Sequence, residues 1–363
     1  MKRSKFAPIT AAVLIGLGVT VTAKADVMGA SVLLVHDAQI IGVDAPGGER
    51  TFLVDASGGG GGDFSFLTGN NNANVSASLA SVPGAATAEE PSAGISPIDL
   101  DQVSQGTVPP ALAPNNFTGL TNPASPQTAT EPSQTNPLAD STLVDINLPL
   151  AGNPVAGGPD IAAPPPTFAI ADQLLSGGIV DIDLDGDGVA DVTGGADASL
   201  RSDSAIATTD SGDATSNVGA GFTFELVLDQ DATIRFDALF SGNAEVWVSD
   251  DAEPISSAQA SYSFIFDIVD ENGNSVLGGG WSPFVVQDIN RNTGLPGFTT
   301  RDYYTGAVDS SPEAVLVANT RYLVSLRGAT QTDVTNRVPA PATLLLMAIG
   351  LLGIGQAARR RRS

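Results

Sequence analysis

The chain has 363 residues, with 40 acidic residues against 16 Lys and Arg and a formal net charge of -24. Residues 26–337 hold all 40 acids and only eight basic residues, every one an arginine, so this body repels a phosphate backbone and nucleic-acid binding is excluded. There is no cysteine, a single histidine (His36) and no lysine after Lys24, which removes disulfides, thiolate chemistry, cysteine zinc sites, a Walker lysine and a Schiff-base lysine from the body.

Residues 1–25 read as a secretory signal peptide. Lys2, Arg3 and Lys5 form a basic start, an apolar run follows from Ala11 to Ala23, and Ala23-Lys24-Ala25 places small residues before a cut between Ala25 and Asp26. Residues 26–80 carry three short β-type runs, at Val32–Val35, Ile40–Val43 and Thr51–Val54, separated by Asp and Gly, and end near the flexible run Gly58–Gly62. They predict a small β element.

Residues 81–174 read as a Pro/Ala/Ser/Thr/Asn-rich linker. Between 83 and 166 lie 16 of the 24 prolines. Proline cannot donate to a sheet ladder, and this composition buries too little apolar surface to offset chain ordering. An extended, partly polyproline-II spacer is expected, with long loops on a β scaffold as the alternative reading.

Residues 175–337 read as a folded domain. Apolar residues alternate at Phe222, Phe224, Leu226 and Leu228, at Ile234, Phe236, Ala238 and Phe240, and at Tyr262, Phe264, Phe266 and Ile268. Val286, Leu316, Tyr322, Val324 and Leu326 continue the pattern, and Asn272-Gly273 suits a type I′ hairpin turn. Period-2 alternation without helical period predicts a mainly β fold, an antiparallel β-sandwich of jelly-roll-like kind.

The run Asp181–Asp191 carries the one motif with chemistry. Asp183, Asp185 and Asp187 stand at loop positions 1, 3 and 5, Gly188 at the sharp turn, Val189 offers a backbone carbonyl at 7, and Asp191 stands at 9. Calcium, a hard cation, takes oxygens at this spacing. Position 12 is Gly194, so the bidentate glutamate of an EF-hand is missing, and the loop resembles those of dockerins and thrombospondin type 3 repeats. A structural Ca2+ site of the weak extracellular class is expected, with a Kd on the order of 10⁻⁴–10⁻³ M. The alternative is an acidic solvated turn.

Other candidates carry less. His36 has no serine or cysteine in an elbow-like context near it, and reads as an ordinary strand or loop histidine. Trp247, Trp281, Tyr303 and Tyr304 are a candidate sugar-stacking face, with core packing as the competing role. Asp250-Asp251 and Glu89-Glu90 read as solvated charge rather than a glycosidase pair.

The tail ends in Pro339-Ala340-Pro341, an apolar run from Ala342 to Ala358, and Arg359, Arg360, Arg361 and Arg362. As a helix the run is about 25 Å long, enough for a thin bilayer, and the arginines hold the C-terminus in the cytoplasm. Residues 338–363 thus predict a C-terminal transmembrane helix in the inner membrane. A Pro-x-Pro motif, a Leu/Gly-rich span and a terminal Arg cluster, in this order, resemble the PEP-CTERM sorting signal, whose own motif is Pro-Glu-Pro. The resemblance implies an exported bacterial protein handled by an exosortase and associated with exopolysaccharide and biofilm matrix.

The resulting reading is a non-enzymatic surface or extracellular-matrix protein. A carbohydrate-binding adhesion module is the second reading and needs Trp281, Tyr303 and Tyr304 on one exposed surface. A secreted hydrolase is the third and needs two carboxylates facing each other in a cleft.

Overall fold

Strand alternation builds the long elements. In the computed structural model β10 (Gly212–Leu228), β11 (Ala232–Val248), β12 (Ser257–Asp270) and β17 (Arg321–Asn336) each place apolar side chains on every second position and bury that row. All the alternating positions predicted on these four strands are buried. Val286 is not: it is 58% exposed, because residues 282–286 form a loop before the next strand instead of part of one.

The structure describes residues 27–336 apart from 45–47, 56–63, 80–81, 91–97, 107–166, 177–178, 184, 186, 192, 207–211, 229, 249–255, 296 and 305–306. They belong to one compact unit, 23–338. No helix occurs among them, and none is long and apolar enough to cross a membrane. The signal peptide, most of the Pro-rich stretch, and the tail with its expected transmembrane helix lie outside the described residues.

The first sheet has nine strands. Its path is β14 (Gly297–Tyr304), β11, β1 (Val27–Gly42), β9 (Ala196–Ile206), β7 (Phe168–Ser176) and β6 (Ile98–Gly106); β2 (Arg50–Thr51) adds to β1, and β15 (Asp309–Ser310) and β16 (Ala314–Leu316) add to β11. The second has eight, in the order β13 (Gln287–Asn292), β12, β17, β10, β4 (Phe64–Leu79), β3 (Leu53–Asp55) and β8 (Asp181–Asp183), with β5 (Val82–Glu90) on β4. Pairing is antiparallel throughout, except that β3 runs parallel to both β4 and β8. A jelly roll has eight strands in all; here each sheet alone reaches that number.

The expected division into a small β element, a linker and a sandwich does not describe these pairings. β1 lies between β9 and β11, with Val27 in register with both Ile206 and Val248. β4 flanks β10 over its length, from Leu79 opposite Ala214 to Phe64 opposite Leu228. The expected linker, residues 81–174, contributes β5, β6 and most of β7, the last pairing with β9. Residues 27–79 therefore complete the sandwich rather than stand beside it. β1 shows weak alternation because residues 27–35 are buried on both faces.

The Asn272-Gly273 hairpin forms with different turn chemistry. Gly273 N donates to Asp270 O at 2.9 Å, so Glu271 and Asn272 are the central turn residues. Only Gly273 takes a positive φ, +81°, and Asn272 does not. This is a type I turn followed by a left-handed glycine, the three-residue alternative to type I′.

The core is a wedge. At the end where β1 begins and β17 finishes, the facing residues are Gly29, Ser31, Ser202, Ser204, Thr330 and Thr332. A Cβ on Gly29 would lie 3.0 Å from the Gln259 carbonyl oxygen. Hydroxyls bridge the sheets there: Ser31 Oγ donates to Ser261 O (2.6 Å) and Ser204 Oγ to Thr332 Oγ1 (2.8 Å), and Ser202 Oγ lies 2.9 Å from Thr330 Oγ1. Toward the other end the row becomes aromatic, with Phe236 stacked on Phe266 at 4.7 Å and Phe240 edge-on to Phe264 at 4.6 Å. Small side chains let the sheets approach, and rings hold them apart.

Candidate metal loop and its surroundings

Asp183 closes β8, in register with Asp55 of β3, which pairs with Ser65 of β4. Its carboxylate is fully buried and organises the loop behind it. Oδ1 accepts from Asp185 N (3.2 Å) and Oδ2 from Gly188 N (2.7 Å). Asp185 Oδ1 accepts in turn from Asp187 N (3.2 Å), and Asp187 Oδ1 from Val189 N (2.8 Å). These successive Asx turns are what short carboxylates do two residues ahead of an amide. Gly188 takes φ +81°, the left-handed position of the turn.

Asp183, Asp185 and Asp187 each offer one oxygen, and the three oxygens lie within 4.8 Å of one another. Asp185 and Asp187 are exposed. The Asp187 amide lowers the Asp185 pKa, but repulsion from the Asp187 carboxylate, with desolvation and the charges of Asp191 and Asp183, leaves it above the ordinary value. Asp191 is exposed and near enough to act on Asp185, yet it lies outside the group of three. Val189 is also exposed, at 65%. The donor set, three carboxylates converging with like charge unrelieved, fits a hard divalent cation.

Asp181 is a loop residue that the motif spacing missed. Its Oδ1 accepts from Gly194 N at 2.7 Å and so ties the end of the loop back to its start. The signal is the Asp181-Ile182-Asp183 run itself: Gly194 at position 12 has no ligand side chain, but its amide is a donor for Asp181.

The remaining candidates are dispersed. His36 Nδ1 lies 3.3 Å from Asp197 Oδ1, at a bulge where Asp37 takes φ +49° and its amide donates to the same oxygen. Trp247 is buried. Trp281 is half-buried, edge-on to Phe236 and Phe240 at 6.0 and 6.1 Å. The Tyr303 ring packs on Phe284 at 4.8 Å; burial first, then the hydrogen bond its hydroxyl donates to Asp309 (3.0 Å), raises its pKa. These rings serve the core, and the side chain of Tyr304 lies outside the description. Glu89 and Glu90 close β5 opposite Asn72 and Asn71. Asp250 and Asp251 lie outside the described residues.

Where the small and aromatic halves of the core meet, a cavity of about 40 Å³ is lined by Ala38, Ala196, Ala198, Ala220, Phe264 and Gly328, with few polar atoms.

Comparison with protein families finds the PEP-CTERM protein-sorting motif at residues 337–362. The motif identifies the tail as a membrane-associated sorting signal and the chain as an exported protein sorted by an exosortase. Comparisons with curated proteins and with solved structures found no match.

Proposed function

We propose that this is a non-enzymatic structural protein of the bacterial cell surface or extracellular matrix. The observation that carries the reading is the adjacency of the sorting motif, which begins at residue 337, to β17, which ends at Asn336 in the middle of the second sheet. The sorted cargo is therefore the sandwich itself. Residues 342–358 form the transmembrane helix that holds it at the inner membrane, with Arg359 to Arg362 on the cytoplasmic side. Exopolysaccharide is the proposed surrounding partner.

The non-enzymatic reading is supported by the composition: one histidine, no cysteine, and no lysine after Lys24. Calcium is proposed as a structural ion bound by Asp183, Asp185 and Asp187, with Asp191 and the Val189 carbonyl completing the shell. It supplies charge neutralisation and ties the β8–β9 connection in place. The loop leaves β8 at the rank of Val227, whereas Asn336 faces Gly212 at the other end of β10. These ranks are on the order of 50 Å apart along the strand. The acidic loop is thus carried at the end of the sandwich opposite the one where β17 finishes.

The test is fractionation of cells that carry and lack an exosortase. The reading requires the full chain to reach the surface or matrix only with the enzyme present. Removal of residues 338–363 should release the sandwich freely in both. Retention of the truncated chain at the surface without exosortase would overturn the sorting role.

A further inference from the structure

At the bulge in β1, two side chains that can react with each other are held in contact. Ile41 faces Thr51 across the β1–β2 ladder, so Gln39 is the diagonal neighbour of Thr51 on the same face. Thr51 Oγ1 donates to Gln39 Oε1 at 2.9 Å, so the hydroxyl oxygen touches the atom next to the carboxamide carbon Cδ. Gln39 Nε2 donates in turn to Asp37 Oδ1 at 2.5 Å. The backbone is bent to make this contact. The register of β1 slips between His36 and Gln39, and Asp37 takes φ +49°, a strained conformation for a residue other than glycine. Asp197 of β9 accepts from the Asp37 amide at 3.1 Å and holds the bulge in place. Gly194 and Gly195 close over the group: a Cβ on Gly194 would lie 3.0 Å from Thr51 Cγ2, and one on Gly195 would lie 2.9 Å from Asp37 Oδ1. A nucleophile, an amide electrophile and a carboxylate on the leaving nitrogen are thus brought together by β1, β2 and the start of β9.

We propose that Thr51 and Gln39 form an intramolecular ester, made by the chain itself once the sandwich has closed. Thr51 Oγ1 adds to Gln39 Cδ. The proton of Oγ1 ends on Nε2, carried by the Asp37 carboxylate that already touches that nitrogen. The Cδ–Nε2 bond breaks, ammonia leaves, and the Oγ1–Cδ ester remains. Nothing is oxidised or reduced, and no co-reactant is consumed. A free amide resists a free hydroxyl, but two groups held in contact and well oriented react as if at an effective concentration on the order of 10⁵–10⁸ M. The reaction occurs once per chain, so it gives the protein no turnover as an enzyme. The bond closes residues 39–51 into a ring and pins β2, whose ladder is only two residues long. The body has no cysteine, and no lysine after Lys24, so disulfides and lysine–amide links are closed to it. An ester between a hydroxyl and a carboxamide is a cross-link that its composition does allow. The proposal stands on this geometry alone and does not depend on the sorting role.

The experiment is peptide mapping of the full chain, unfolded and digested with trypsin. Lys24, Arg50 and Arg201 are successive trypsin sites, so Gln39 falls on the peptide ending at Arg50 and Thr51 on the peptide 51–201. The expected result is one joined product, lighter by one ammonia than the two peptides together, which hydroxylamine separates. Thr51→Ser keeps the joined product. Thr51→Val, of the same shape without the hydroxyl, loses it. Asp37→Asn accumulates it more slowly after synthesis, by on the order of 10²-fold, as loss of a general acid–base group does. Separate peptides of full mass from the unsubstituted chain, in a sample shown to be folded by its cooperative unfolding, overturn the proposal. A joined product that persists in Thr51→Val also overturns it, because the bond then lies elsewhere. An unchanged rate in Asp37→Asn overturns the proton route through Asp37.

Discussion

Tyr262 lays its ring directly on the backbone of Gly242. A Cβ at Gly242 would fall 2.3 Å from Tyr262 Cε2 and 2.7 Å from Cζ. The two residues belong to opposite sheets, Gly242 on β11 and Tyr262 on β12, and the contact sits where the hydroxyl-lined part of the wedge gives way to the aromatic part. Phe284 holds the other side of the ring, edge-on at 5.2 Å. Tyrosine and glycine are thus one packing unit, and no other residue fits at Gly242 while that ring stays in place.

Gly242→Ala is therefore expected to destabilise the sandwich by about 2–3 kcal/mol through overpacking. Chemical denaturation of the two proteins measures it. Combined with Tyr262→Leu, the loss should be smaller than the sum of the single losses, because the smaller side chain leaves room for the methyl group.

The hydroxyl bridges make a separate prediction. Ser204→Ala removes the donor to Thr332 inside a buried interface and should cost about 1–2 kcal/mol. Thr332→Val alone should cost a similar amount. The double variant should recover about 1 kcal/mol of the combined loss, since neither partner is then left unpaired. Strictly additive losses in a double-mutant cycle would show that the bridge contributes nothing specific.

Calcium in the millimolar range should raise the melting temperature by a few degrees, and Mg²⁺ by less, as expected for a weak oxygen site that binds only the native state. Asp185→Asn with Asp187→Asn should abolish the shift while leaving the apo protein at least as stable, because like charge has been removed. Asp183→Ala should lower stability with or without calcium, since its buried carboxylate accepts two loop amides. Superimposable thermal scans in EDTA and in excess Ca2+ would reduce the loop to an acidic turn.

Acid should help one site. Desolvation, and then the nearby Asp213 carboxylate, raises the Asp333 pKa above the ordinary carboxylate value. A carboxyl whose folded pKa is raised contributes stability that is present below its unfolded pKa and lost as pH rises through the folded one. Asp333→Asn should accordingly raise the melting temperature at pH 7, with the gain shrinking as pH falls toward the usual carboxylate range. A gain that stays constant over that range would place its origin elsewhere than in the charge.

Much of this protein could be read locally. The sorting signal is a linear string, and a family comparison finds it where the residues themselves point. The buried rows of β10, β11, β12 and β17 follow from period-2 alternation, since each of these strands has one wet face and one dry one. The Asp183, Asp185 and Asp187 spacing brings three oxygens together because consecutive Asx turns need only neighbouring residues.

Partnership was decided by the tertiary structure. Val27-Met28-Gly29-Ala30-Ser31 has little alternation because β1 is covered on both faces, and nothing in those residues names Ile206 and Val248 as its neighbours. Asp181 joins the loop through a glycine amide thirteen residues away, a partner that no local spacing rule names. Ser31, Ser202, Ser204, Thr330 and Thr332 look like surface residues in sequence and are buried because the two sheets face each other there, where the serine hydroxyls meet partners across the gap. Periodicity specifies that a segment is a strand and which of its faces is apolar; which strand lies beside it is set by the fit of side chains far apart in the chain.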